Sequence, residues 1–493
     1  MIDHNFALIS PLVSAIGVAV AILLADLVAP GRRSVAIGVS LVGLAIVAAV
    51  TLAAHGYVGA GDGNAFEGAY RLDALTTFLD LLFVSIVGLT IVFAPDYLAP
   101  RGLPTAEFAA VLVFAMTGAM LLAAATDLLL LFLGLELMVL PGYMLAAYHK
   151  TDGYSTEGAI KYFLLGSFSS AIFLFGLAFV WGLTGTTRVD EVAAVLRGVA
   201  DGTTAFSPAL AMGFAFMTTG VAFKIAAVPF HYWTPDAYQG SPTPVTGYLS
   251  VGPKVGAFAL ILRLFVEALG PLKADWLPVV IVLAATTMTL GNLVALTQDN
   301  VKRMLAYSSI AHTGYMLVGL AAFAGGKASG IEALLFYGAA YSFMNLGAFA
   351  VIAALQKRAG VTSSLDTFAG LWRQEPLLTI LMTLFLLSLV GIPPTAGFFA
   401  KFLVIESAVE AGGWVGILAV ITMLNAAAAA FYYLRVVVYM FVREPATEGE
   451  APRHGRLLWS GLAVTTALTI LFGAFPGLIL GFIGQAARAI APA

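Results

Sequence analysis

Four ionisable side chains interrupt long apolar runs in this sequence. Glu136 sits in LLLLFLGLELMVLPGYML and Lys224 in FAFMTTGVAFKIAAVPF. Lys254 sits in GYLSVGPKVGAFALIL, and Lys401 in GIPPTAGFFAKFLVI, with Glu406 five residues further on. A charge at the centre of a bilayer costs about 2.5–3.5 kcal/mol on insertion scales, so such residues are candidates for function by default. Lysine suits proton exchange because burial disfavours its charged form and can bring an amine to titrate near neutral pH. A neighbouring carboxylate works the other way. Moving a glutamate relative to a lysine would therefore switch the amine between holding and releasing a proton. Two quieter readings compete: a lysine that snorkels to the interface along its methylene stem, and an ion pair that only pins two helices. Asp26 and Asp80 are weaker cases of the same kind.

Backbone breakers accompany these charges. Pro229 follows Lys224 by five residues, Pro253 immediately precedes Lys254, and Pro393 and Pro394 precede Lys401 by eight and seven. Proline in a helix interior frees a carbonyl and kinks or unwinds the chain. In lipid that is tolerated only where protein or water re-satisfies the backbone, and discontinuous helices mark ion sites in transporters. Each proline could instead be a packing kink. Histidine titrates near pH 6.5 and can relay protons. His231 follows the break after Lys224, and His312 lies in LAYSSIAHTGYMLVGL, where Tyr307, Ser308, Ser309 and Tyr315 could hold water around it. A lone histidine can equally be a hydrogen-bonded helix contact. No pairing of histidines with carboxylates suggests a metal site, and GAGDGN at 59–64 reads as a loop, since it lacks a strand–turn–helix context.

These side chains need helices in a membrane to position them. Of 493 residues, 60% belong to the set AVILMFWYC and only 10% are charged, against roughly 25% charged in soluble proteins. There is no cysteine, which excludes disulfides, cysteine-ligated iron–sulfur clusters and a thiol nucleophile. A net charge of −3 without a basic block argues against nucleic-acid binding. Residues 1–5 (MIDHN) lack the basic start of a signal peptide. Fourteen spans of about 20 apolar residues are expected at 6–28, 34–54, 74–94, 107–125, 128–148, 159–183, 207–228, 244–268, 276–297, 303–323, 330–355, 377–409, 414–441 and 457–483. They do not alternate polar and apolar residues as barrel strands do. Placing the N-terminus outside puts twelve of the 24 Lys and Arg in inner connections and six in outer ones, so the positive-inside rule favours both termini outside. Residues 189–200 read as a short amphipathic helix on the outer surface. The inner loops near 356–376 and 443–456 read as solvated connectors.

Three stretches resemble antiporter-like membrane subunits, the family shared by respiratory complex I (the proton-pumping NADH–quinone oxidoreductase) and the multisubunit cation/proton antiporters. They are FKIAAVPFHYWTPDAYQGSPTPVTGYLSVGPKVGAFALILRLF (223–265), QDNVKRMLAYSSIAHTGYMLVGL (298–320) and LSLVGIPPTAGFFAKFLVI (387–405). The resemblance extends over roughly helices 3 to 14. Within the family, Lys254 matches a branch of bacterial complex I that carries lysine on helix 8, where the related subunits L and M tend to carry histidine. That branch typically has EGSPTPVT where this chain has QGSPTPVT, differing at Gln239.

The resemblance implies an all-α polytopic fold of about fourteen transmembrane helices, with two inverted five-helix repeats and broken helices 7 and 12. The implied divisions are 1–106 (helices 1–3), 107–270 (first repeat), 271–442 (second repeat) and 443–493 (loop and helix 14). It implies that Glu136, Lys224, Lys254, His312 and Lys401 line a proton path, with Lys401 at the exit side. The chain would then be a proton-translocating subunit without redox chemistry of its own. NADH, FMN, iron–sulfur clusters and quinone would be bound by other subunits, with no cofactor or metal in this chain. Its neighbours would be other complex I membrane subunits, the antiporter-like subunit M and the small subunit K, together with lipid, in a bacterial inner membrane. Competing expectations are a subunit of a cation/proton antiporter, a structural membrane scaffold and a solute transporter.

Overall fold

The computed structural model describes residues 2–59, 63–203, 207–357, 362–445 and 453–491. Arg358, residues 60–62 of the GAGDGN loop, and parts of the 356–376 and 443–456 connectors lie outside the described residues. Polar residues placed just before apolar runs set the helix starts. The carboxylate of Asp73 accepts from the backbone of Thr76, that of Asp127 from Leu129, and that of Asp152 from Tyr154; Ser207 and Asn300 do the same for Leu210 and Arg303. Each cap satisfies an N–H that a first helical turn leaves without a partner.

The helices that follow are α1 (Ile2–Val28), α2 (Arg33–Val58), α3 (Ala74–Phe93), α4 (Thr105–Ala124), α5 (Leu128–Ala146), α6 (Gly153–Thr184), α7 (Val189–Ala200), α8 (Pro208–Lys224), α9 (Trp233–Gly240) and α10 (Thr243–Ile261). After them come α11 (Lys273–Ala295), α12 (Val301–Ala324), α13 (Ser329–Leu355), α14 (Pro376–Val390), α15 (Ala396–Ala411), α16 (Gly413–Val442), α17 (Arg456–Ala474) and α18 (Gly477–Ile490). A two-stranded antiparallel ribbon pairs Asn64–Ala65 with Tyr70–Arg71. The fold is all-α and polytopic. Helices α10 and α13 are almost wholly enclosed by protein and pack on each other at the centre. Outer helices leave Leu27, Phe168, Trp414 and Leu424 more than half exposed, a surface suited to lipid.

Among the described residues, eleven helices are long and apolar enough to cross a membrane, compared with fourteen expected spans. The three missing are 207–228, 303–323 and 377–409. The first and third are cut by breaks that leave pieces of 17, 15 and 16 residues. The middle one is rich in polar residues around His312. The fourteenth span is also corrected: 457–483 is two helices, because Phe475 and Pro476 end α17 before α18 begins. A proline has no N–H to continue the ladder. Helix α18 then turns back to pack against α3 and α13. The expected amphipathic helix at 189–200 is α7, burying Val189, Val192 and Leu196.

The two breaks are re-satisfied by side chains. After α8, the Ile225 carbonyl accepts from Thr313 Oγ1 at 2.8 Å, the Val228 N–H donates to Thr287 Oγ1 at 3.0 Å, and the Phe223 carbonyl accepts from Trp233 Nε1 at 3.1 Å. Between α14 and α15 the chain turns at Gly391, with φ +96°, a left-handed value that glycine adopts without strain. Gly397 lets α15 lie directly on the end of α14: a Cβ there would fall 1.8 Å from the Ser388 carbonyl oxygen.

Candidate functional site

The three lysines are buried, and none snorkels: Lys224 is 6% exposed, Lys254 3% and Lys401 5%. Lys224 ends α8. Its Nζ donates to Ser170 Oγ at 2.9 Å, and to Tyr143 Oη and the Gly166 carbonyl at 3.3 Å each. Lys254 lies midway along α10 and donates to the Ser309 carbonyl at 2.5 Å, and to Ser309 Oγ and Thr313 Oγ1 at 2.7 Å each. Lys401, on α15, donates to the carbonyls of Leu389 and Val390 at 2.9 and 2.6 Å. Those two carbonyls end α14, where the helix macrodipole is negative. The break therefore builds the lysine's binding site, and the lysine caps the break.

No carboxylate lies within ion-pair distance of any of these three amines among the described residues. All their partners are hydroxyls and carbonyls. Stapling by buried ion pairs is therefore not what they do here. Glu136 does not pair with Lys224, and one of its carboxylate oxygens is buried without a hydrogen-bond partner among the described residues.

Thr313 joins two of the lysines. Its hydroxyl accepts from Lys254 and donates to the carbonyl of Ile225, the residue after Lys224. His312 is its neighbour on α12. The His312 ring meets Tyr337 Oη at Nδ1, 2.8 Å away, and Tyr433 Oη at Nε2, 3.3 Å away, and Tyr433 in turn bonds Ser308. Tyr341 lies between Lys254 and His312, with its ring 5.7 Å from the ammonium and 4.8 Å from the imidazole. Tyr315 bridges onward, 5.5 Å from the His312 ring and 5.1 Å from Lys401 Nζ. Beyond it, Asn292 holds Tyr315 and Tyr432 and touches Asn425. The structure thus brings Lys254, His312 and Lys401 into one buried polar row and attaches Lys224 through the α8 break. Glu136 is set apart by its missing contacts, and Glu406 is exposed on α15.

The sequence reading missed several partners. Tyr337, Tyr341, Tyr433 and Thr313 carry most of the connections, yet they are neutral residues in apolar helices and nothing in their spacing distinguishes them from core. Tyr307, grouped with His312 by sequence, instead lines a cavity of about 590 Å³ together with Lys161, His231, Asp236 and Arg303. There Asp236 pairs with Lys161 at 2.8 Å and with Arg303 at 2.6 Å. Burial opposes its charge, but the two cations hold its carboxyl below the usual carboxylate range. Gln239 adds an uncharged acceptor to Arg303 at 3.1 Å. At the opposite end, fully buried Arg263 binds Asp73 at 2.8 Å and Glu267 at 2.9 Å, and Arg71 shares Glu267.

A polytopic bundle with two broken helices and unpaired buried lysines defines an antiporter-like membrane subunit. Residues 125–425 match the family described as NADH:quinone oxidoreductase/Mrp antiporter, transmembrane. The chain is 44% identical over 428 residues to the NADH-quinone oxidoreductase subunit N of Trichlorobacter lovleyi, covering 87% of this chain and 86% of that protein. It is 40% identical to the subunit N of Chloroflexus aggregans, covering 97% and 96%. A chain in the structure of respiratory complex I from Thermus thermophilus with bound aureothin superposes with a TM-score of 0.77 at 32% identity, over 96% of this chain and 98% of that one. A chain of the Mrp complex from Dietzia sp. superposes with a TM-score of 0.85 at 22% identity, over 100% and 98%, which is a likeness of fold alone. The chain belongs to the NADH:quinone oxidoreductase/Mrp antiporter transmembrane family.

Proposed function

We propose that the chain is the N-type, proton-translocating subunit in the membrane arm of an NADH–quinone oxidoreductase. The shared fold does not separate this role from an antiporter subunit. The curated relatives at 40–44% identity, both subunits N, favour the oxidoreductase. NADH, FMN, iron–sulfur clusters and quinone belong to other subunits, and other membrane subunits flank this one, in a bacterial inner membrane with both termini outside. Residues 107–270 and 271–442 form the two repeats, preceded by helices 1–106 and followed by 443–493.

Protons move along Lys224, Lys254, His312 and Lys401, with Glu136 setting the field at Lys224. The observation that carries this reading is the bonding of all three buried lysines to neutral acceptors only. An amine with a carboxylate beside it is locked in its charged form; one held by hydroxyls and carbonyls can give up its proton and keep its geometry, since a hydroxyl accepts or donates by rotation. Lys401, seated on the carbonyl end of α14, can be pulled or released as the two half-helices shift. The test is Lys254→Met in the assembled complex, read as NADH-driven acidification of inverted membrane vesicles. Proton pumping at the wild-type rate, with normal assembly, would falsify the path. A loss of Na⁺ efflux without loss of NADH-driven pumping would favour the antiporter reading instead.

A further inference from the structure

The buried lysine row needs an aqueous inlet, and none of its members reaches solvent. The cavity of about 590 Å³ lies beside the α8 break and is open on one side. Leu165 of α6 and Leu290 and Val294 of α11 form its apolar wall. The titratable and charged groups facing it are Lys161 from α6, His231 and Tyr232 from the break, Asp236 from α9, and Arg303 and Tyr307 from α12. Lys161 and Arg303 lie near the starts of their helices, at the end that the positive-inside bias assigns to the cell interior.

His231 stands apart from the others. It is 5% exposed, and its Nδ1 is buried without a hydrogen-bond partner among the described residues, although the ring lines the cavity. Its ring stacks on that of Tyr232, 4.6 Å away, which fixes the imidazole plane. Buried polar atoms are satisfied in the great majority of cases, and a cavity this size with several polar groups holds water. The orphan nitrogen is therefore placed to meet a water in the cavity. It sits on the same broken segment whose Ile225 carbonyl is tied through Thr313 to Lys254. The two cations of the lining are already matched by Asp236, with Glu157 also on Lys161. Among the lining groups, only the histidine has an ordinary pKa near neutrality, and it forms no ion pair among the described residues. A neutral imidazole protonated on Nε2 presents Nδ1 as an acceptor.

We propose that His231 is the proton-loading residue of this subunit, taking a proton on Nδ1 from a hydronium ion in the water-filled cavity and releasing it from the imidazolium to the lysine row. Asp236, held between Lys161 and Arg303, fixes the mouth of this inlet. The inference rests on the proton-translocating reading above, and the experiment separates the two. His231→Ala, His231→Gln and Lys254→Met are made in the intact complex, with assembly checked by NADH oxidation with ferricyanide. NADH-driven pumping is then measured across pH, with and without added imidazole.

His231→Ala is expected to lower the pumping rate by on the order of tenfold or more, the scale of a positioned acid–base group. Free imidazole, which fits the vacated space, should restore much of it. Substituted imidazoles should shift the pH profile of the restored rate according to their own basicity. His231→Gln should remain impaired, because an amide bonds water but carries no proton. Wild-type pumping in either His231 variant, or a loss in His231→Ala that imidazole leaves unchanged, overturns the proposal. If Lys254→Met still abolishes pumping in that case, the lysine row stands and only the inlet is wrong. Wild-type pumping in Lys254→Met would instead remove the reading on which the inlet depends.

Discussion

Thr313 offers the sharpest test of how the lysine row is held. Its hydroxyl does two jobs: it accepts from Lys254 Nζ at 2.7 Å and donates to the Ile225 carbonyl at 2.8 Å. Thr313→Val keeps the shape and removes both. A hydrogen bond to a charged group is worth about 1.5–3 kcal/mol. If all of that orients the amine for transfer, the rate falls by roughly tenfold to a hundredfold, at about 1.36 kcal/mol per decade. Ser309 still holds the amine by its carbonyl and hydroxyl, so the lower end, about tenfold, is expected. The stranded Ile225 carbonyl adds a stability cost of about 1–3 kcal/mol, which a bundle of this size should absorb without losing assembly. Thr313→Ser, which keeps the hydroxyl, should pump near the wild-type rate. The assay is quenching of a pH-sensitive dye in inverted vesicles, normalised to complex content. Equal pumping in the valine and wild-type proteins would refute the argument that this hydroxyl couples the α8 break to Lys254.

Two further outcomes follow from the structure. Replacing Arg263 by Met should destabilise the subunit by about 3–5 kcal/mol, because it leaves Asp73 and part of Glu267 as buried charges without their partner. Loss of assembled complex on native gels would show this, and a second change, Asp73→Asn, should recover part of it. His454, in the connector before α17, has its ring 3.1 Å from Glu375 and 3.7 Å from Asp96. Burial lowers its pKa, but the two carboxylates outweigh it and raise the pKa overall. A raised value in the folded state means this contact stabilises fully below the histidine's ordinary pKa of about 6.5 and is lost as pH rises through the folded value. Hydrogen exchange at residues 453–456 should therefore accelerate, beyond its intrinsic pH dependence, as pH rises through that window. His454→Gln should abolish the extra acceleration, and an identical profile in that variant would remove the histidine from the explanation.

Apolar run length placed nearly every helix, because a span needs about 20 apolar residues whatever surrounds it. The same rule failed at 377–409 and 457–483, where each run remains apolar through a break. Hydropathy does not register a missing N–H, and only packing shows whether a proline bends a helix or ends it. The functional lysines were legible for the opposite reason: in a chain with 10% charged residues, a lysine inside an apolar run stands out. Tyr337, Tyr341, Tyr433 and Thr313 did not stand out, since a buried tyrosine and a relay tyrosine have the same sequence signature.

The sequence by itself determined that this chain lies in a membrane, which residues are costly to bury, and where the backbone is weak, because all three follow from solvation and proline geometry within a single segment. Only the tertiary structure decided what the lysines touch. Lys254 on α10 meets Ser309 and Thr313 on α12, fifty-five and fifty-nine residues away. Lys401 closes on the carbonyls of a helix that ends eleven residues earlier. Glu136, the expected partner, forms no ion pair among the described residues. Whether a buried charge is neutralised, stapled or free to exchange depends on groups brought together across the bundle, and no local pattern encodes that.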